Sequence, residues 1–216
     1  ELARAAEDTI KESFDQINYI REQNQLKVIR AMQREKLSDS HFSGTTGYGY
    51  NDRGREVLDA VYAHAFHAED ALVRHSITCG SHALALCLYG ILRPGDELLS
   101  ITGKPYDTLE EVIGIRGKEG AGSLKDYGIT YSQIELKNGA IDDQAVVNAI
   151  NKRTKLVFIQ RSRGYEWRPA LTINEIERVT KLVKSVKNDV LVMVDNCYGE
   201  FVEDREPTEV GVDIMA

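Results

Sequence analysis

Val190-Leu191-Val192-Met193-Val194-Asp195-Asn196-Cys197-Tyr198-Gly199-Glu200 is the stretch that decides the fold. Its apolar residues run without a break and end abruptly in an acid. A short continuous apolar run bounded by polar residues predicts a strand buried on both faces, as in a parallel sheet. In open α/β sheets, ligands sit outside the carboxyl ends of the strands. The run therefore puts Asp195 on the edge where chemistry is usually placed. A strand-end Asp also starts turns and caps helices, and on this stretch alone both readings stand.

Working outward, Lys155-Leu156-Val157-Phe158-Ile159-Gln160 reads as another buried strand. Between the two strands Thr172 is placed to cap a helix reaching about residue 187. Further strands are expected over 97–101 and 129–136. Helices are expected over 107–113, from Asp142 to 150, and after Gly80-Ser81, where Leu92-Arg93-Pro94-Gly95 closes the run in a turn. A helix over 56–68 and a short strand over 71–74 precede that. Residues 1–37 carry helical spacing of Ile10, Phe14, Ile17, Leu26 and Ile29 with no Pro or Gly, so one helix is predicted there. Alternating strands and helices predict a three-layer α/β domain with a mainly parallel sheet over 38–216, preceded by a helical segment over 1–37.

A chain of 216 residues with 42% hydrophobic content is long enough for one sizeable core. Its net charge of −7 and lack of a basic stripe argue against nucleic acid as a partner. No apolar run approaches membrane-spanning length, so no membrane association is expected. Cys79, Cys87 and Cys197 show no zinc spacing; no metal site is expected, and reduced thiols in a cytoplasmic protein suit their number and apolar settings.

Four constellations fall in loops that this fold would gather at one sheet edge. Gly80-Ser81-His82 opens a helix, where free N–H groups, a hydroxyl and the helix dipole make a phosphate cup; Gly-Ser also simply starts helices. Tyr106, after a strand and before a helix, can stack on a planar ring or pack in the core. Asp195 can pair with a protonated ring nitrogen. The loop running from Tyr48 through Tyr50 and Arg53 to Arg55 offers donors suited to a phosphate.

Phosphate cup, aromatic and strand-end Asp, in that order along the chain, resemble the fold-type I enzymes that use pyridoxal 5′-phosphate (PLP). Local wording is similar to one branch of the Cys/Met-metabolism group: Thr102-Gly103-Lys104-Pro105-Tyr106-Asp107, Gln160-Arg161-Ser162-Arg163-Gly164-Tyr165 and Val194-Asp195-Asn196-Cys197-Tyr198-Gly199-Glu200-Phe201 look like the bacterial proteins labelled aluminium resistance protein or methionine gamma-lyase-family protein. The resemblance runs over about residues 42–216.

The resemblance implies PLP as cofactor and a carbon–sulfur lyase acting on a sulfur-containing amino acid, with charge at the substrate Cα drained into the ring. It implies Gly80, Ser81 and His82 at the phosphate, Tyr106 on the ring, and Asp195 at the ring nitrogen. Arg161 and Arg163 become candidates for the substrate carboxylate, two solvated loop arginines being the other reading, and Tyr198 for the wall of the site. Tyr50 and Arg53, spaced one residue wider than the family's Tyr-x-Arg loop, are implied to reach a neighbouring subunit's phosphate, in a homodimer or homotetramer. The family's cofactor-bearing lysine should follow the Asp, yet no lysine follows Asp195. That lysine, the end of the large domain and a small domain are therefore expected beyond residue 216. An aminotransferase on the same cofactor, or an inactive binding module, are the alternatives.

Overall fold

A computed structural model describes residues 1–50 and 52–216. These fall into two compact units, one of residues 1–74 with 200–206, the other of residues 75–199 with 207–216.

The first unit contains α1 (Leu2–Thr9), α2 (Lys11–Arg34) and α3 (Arg53–Ala65). The uninterrupted helix expected over 1–37 is thus two helices. The Thr9 hydroxyl donates to Ala5 O at 2.8 Å, and Ile10, at φ −108° and ψ 9°, donates its N–H to Glu7 O. Such local side-chain bonding competes with the helical ladder. Asp52 accepts from Arg55 N–H at 3.1 Å and starts α3 earlier than the apolar spacing indicated. Ala31, Val61 and Ala65 form a small core with Val28, Val57 and Phe66. Phe66 stacks on Phe201 at 4.9 Å, and the Asn24 amide donates to Phe201 O and Glu203 O, each at 2.9 Å. The strand expected over 71–74 is absent. Val73 N–H instead donates to Asp59 Oδ1 at 2.8 Å, and Arg74 Nη1 reaches the same oxygen at 2.6 Å, so a helix side chain takes the donor a ladder would use.

The second unit is built on β1 (Glu97–Ser100), β2 (Thr130–Gln133), β3 (Thr154–Gln160), β4 (Leu191–Asp195) and β5 (Ile214–Met215). The sheet order is β2-β1-β3-β4-β5 and every pairing is parallel. The helices are α4 (Gly80–Ile91), α5 (Asp107–Ile113), α6 (Asp143–Ala149) and α7 (Ile173–Val186). Leu98, Leu156, Phe158 and Met193 pack with Leu84 and Leu88 of α4 and Leu109 and Ile113 of α5. Their neighbours Leu99, Val157, Val192 and Val194 pack instead with Val146 of α6 and Ile176 and Val179 of α7. Alternate residues thus face opposite helical layers, which is why β3 and β4 read as unbroken apolar runs. This is the expected three-layer α/β domain.

Two helix starts follow their sequence signals. Thr172 and Glu175 form a reciprocal capping box, and Asp142 accepts from Ala145 N–H at 3.1 Å. The order of the sheet has a functional consequence. From β1 the chain adds β2 on one side, then returns to add β3, β4 and β5 on the other. The reversal lies between β1 and β3, and in open α/β sheets ligands bind outside the carboxyl ends of the strands at such a reversal.

Candidate active site

Residues following β1, β3 and β4 meet at that carboxyl edge. Gln160 ends β3 and lies in register with Asp195, which ends β4. Gln160 Oε1 accepts the Tyr106 N–H at 2.7 Å, and Gln160 N–H donates to Thr102 Oγ1 at 3.0 Å, so the segment after β1 is tied to the end of β3. Ser81, in the first turn of α4, shares a 2.6 Å hydroxyl–hydroxyl bond with Thr108 in the first turn of α5. Gly80 to His82, Tyr106 and Asp195 are thereby linked through Thr108 and Gln160 into one contiguous edge.

Each position has a local cause. The residue before α4, Cys79, makes no capping bond, and a Cβ on Gly80 would meet nothing within 4 Å. The opening N–H groups of an α-helix have no intrahelical partner. At α4 they carry the favourable end of the helix dipole toward open space, which fits an anion. His82 Nδ1 accepts the Thr78 N–H at 3.3 Å, which leaves the proton of the neutral ring on Nε2. Asp195, only 6% exposed, accepts the Cys197 N–H on Oδ1 at 3.1 Å, while its carbonyl accepts from Arg161 N–H at 3.0 Å. This carboxylate is oriented by backbone on its own side of the edge.

The Tyr106 ring lies 5.6 Å from that of Tyr165, and its hydroxyl donates to the Tyr165 hydroxyl at 3.0 Å. That bond, with burial and the nearby Tyr165, Asp107 and Tyr198 groups, pushes the Tyr106 phenol up to about 12. Replacing Tyr165 with Phe should return the Tyr106 titration toward the ordinary tyrosine value of 10.0, read as tyrosinate absorbance against pH. The sign follows from ionisation being harder in the folded state: the contribution to stability is complete below pH 10.0 and is lost as pH rises through about 12. In the variant this alkaline window should close. An unmoved titration would show that the phenol–phenol bond is not the cause.

The two arginines expected at the carboxylate have different surroundings. Arg163 is exposed, its guanidinium 5.8 Å from the centre of the Trp167 ring. Arg161 is 3% exposed, and its guanidinium donates to Leu171 O at 3.2 Å and to Asn196 Oδ1 and Gly199 O, each at 2.8 Å. Tyr198 is 86% exposed and holds φ 68°, a left-handed backbone that costs a bulky residue about 1–2 kcal/mol.

Tyr50 and Arg53 belong to the other unit. Tyr50 is exposed, and Arg53 opens α3 with Nη2 3.4 Å from His41 Nε2; Asn51 between them lies outside the described residues. Sequence reasoning missed Gln160, Thr108 and Asn196. Gln160 carried the same signal as Asp195, a polar residue ending an apolar strand. Thr108 and Asn196 carried none, because their partners are distant in sequence.

The whole chain, residues 1–216, matches the family described as methionine gamma-lyase. It is 53% identical over 202 residues to YnbB, an uncharacterised protein of Bacillus subtilis (strain 168), covering 93% of this chain and 48% of YnbB. Among solved structures, a Listeria innocua protein described as a candidate cystathionine beta-lyase involved in aluminium resistance superposes with a TM-score of 0.97 at 52% identity, covering 99% of this chain and 52% of that one. A carbon–sulfur lyase involved in aluminium resistance from Clostridium novyi NT gives a TM-score of 0.93 at 46% identity, covering 98% and 51%. The chain spans about half the length of these relatives. With its fold-type I architecture and a match along its full length, this chain belongs to the methionine gamma-lyase family.

Proposed function

We propose that this chain forms the cofactor-binding part of a PLP-dependent carbon–sulfur lyase of the cytoplasm, acting on a sulfur-containing amino acid of the cystathionine or methionine type. The observation that carries the reading is the contiguous edge joining the uncapped start of α4, Tyr106 and Asp195. Relatives named as carbon–sulfur lyases support the reaction class.

The residues fit the cofactor. The first N–H groups of α4 with the Ser81 hydroxyl would hold its phosphate, and Tyr106 would stack on its ring. Asp195 would keep a proton on the ring nitrogen, since an adjacent anion favours the protonated form. When bound, the group supplies an electron sink for charge left at the substrate Cα. Arg163, the accessible one of the two arginines, would take the substrate carboxylate, and Tyr198 would line the site. Tyr50 and Arg53 would complete the phosphate site of a second copy in a homodimer or dimer of dimers.

The test is made on the full-length protein. Added PLP should give visible absorbance that borohydride removes, with the label on a lysine, and cystathionine or methionine should then release a thiol or sulfur amino acid together with ammonia and a 2-oxo acid. A protein that stays colourless overturns the cofactor assignment. Amino-group exchange without thiol release or ammonia would favour an aminotransferase.

A further inference from the structure

We propose that Arg161 is a positioning residue for Tyr198, fixing the 196–199 turn that carries the tyrosine at the carboxyl edge of the sheet, and is not itself a substrate contact. The assignment rests in part on the reading of that edge as an active site, but its structural content does not depend on any ligand.

Three observations converge on the turn. First, Arg161 grips both of its ends: one guanidinium nitrogen, Nη1, bonds Asn196 Oδ1 and Gly199 O at 2.8 Å each, while Nε bonds Leu171 O at 3.2 Å. These acceptors lie on separate segments, and a planar fork of donors reaches them together where an ammonium on a flexible stem would not. Second, the turn is closed and anchored. Gly199 N–H donates to Asn196 O at 2.6 Å, and Asn196 N–H donates to Ala216 O at 2.8 Å beside β5. Third, the guanidinium side chain is packed so closely that position 199 admits only glycine. A Cβ there would stand 2.6 Å from Arg161 Nη1, 2.7 Å from its Cδ and 2.5 Å from Asn196 Oδ1.

The residue this scaffold presents is Tyr198, third of the four residues of the turn. That place in a turn with positive φ suits Gly or Asn, yet here a large aromatic holds φ 68° with its side chain in solvent. Nothing in its own packing accounts for the conformation. Strained backbone persists where the surroundings over-determine it, and it clusters at functional sites.

The experiment places 3-fluorotyrosine at position 198 of the full-length protein, with a second sample labelled at the half-buried Tyr131 of β2 as a control on the fold. In Arg161→Lys the fluorine resonance at 198 should shift and narrow as the turn loosens, while the one at 131 stays in place. Asn196→Ala cuts the same tether from the acceptor side and should displace the 198 resonance in the same direction. An unmoved 198 resonance in either folded variant overturns the proposal, so unfolding of one leaves the other to decide. This readout needs neither cofactor nor substrate, so its failure is separate from failure of the PLP assignment. In the active protein, Arg161→Lys should lower kcat about tenfold to a hundredfold. The preference for an amino acid over its decarboxylated amine should remain. Loss of that preference would mark direct contact with the carboxylate and overturn the positioning role.

Discussion

Asp195→Asn is expected to lower kcat/KM of the full-length enzyme at least a hundredfold while leaving the fold intact. The amide is nearly isosteric with the carboxylate, and its oxygen can still accept the Cys197 N–H, 3.1 Å away in the parent. The strand it ends is secured by ladders on both sides and by Val192, Met193 and Val194, none of them exposed. What the substitution removes is the negative charge, and with it the bias toward a protonated ring nitrogen that Asp195 would supply in the proposed site. Removing one preorganised electrostatic group from an active site typically costs about 10²–10³ in rate. Thermal unfolding should therefore move little while steady-state turnover collapses. Near-normal turnover with cofactor retained would take Asp195 out of the mechanism.

Mixing two inactive full-length variants, Arg53→Ala and Asp195→Asn, is expected to restore activity. In the proposed dimer, Arg53 of one copy serves the site whose Asp195 belongs to the other. A mixed dimer then has one site carrying both lesions and one carrying neither. Random exchange of equal amounts leaves about a quarter of all sites intact. The motive is the arrangement of the loop: Tyr50 is exposed, and Arg53 stands at the surface start of α3 near His41. An arginine so placed can meet an anion brought to it by another copy. Native mass spectrometry should confirm exchange, and activity should rise as mixed dimers form. Exchange without recovery would place Arg53 in its own copy's site or in none.

The buried strands were legible in the sequence because burial on both faces leaves a continuous apolar run, and β3 and β4 are such runs. Asp195 was legible for the same reason reversed, since a polar residue that ends such a run stands at the rim of the sheet; Gln160 carried the same signal and went unread. Helix starts at Thr172 and Asp142 were readable because a cap is a local bond within four residues. Where the competition was local but the signal faint, the reading failed. The helical run is interrupted at Ile10 without any Pro or Gly, beside a Thr9 hydroxyl bonded back to Ala5 O, and Asp59 draws off the Val73 N–H that a strand would have used. Tertiary structure alone decided the rest. β5 has only two residues, too short for any pattern, and exists because Met193 and Val194 offer it a ladder. Arg161 and Arg163 are indistinguishable as letters in one motif. Only the approach of the 196–199 turn to the end of β3 buries the first guanidinium against Asn196 and Gly199, while the second is left beside Trp167 in solvent. A charged side chain's role depends on which distant acceptors the fold brings to it, and that information is not contained in its neighbours along the chain.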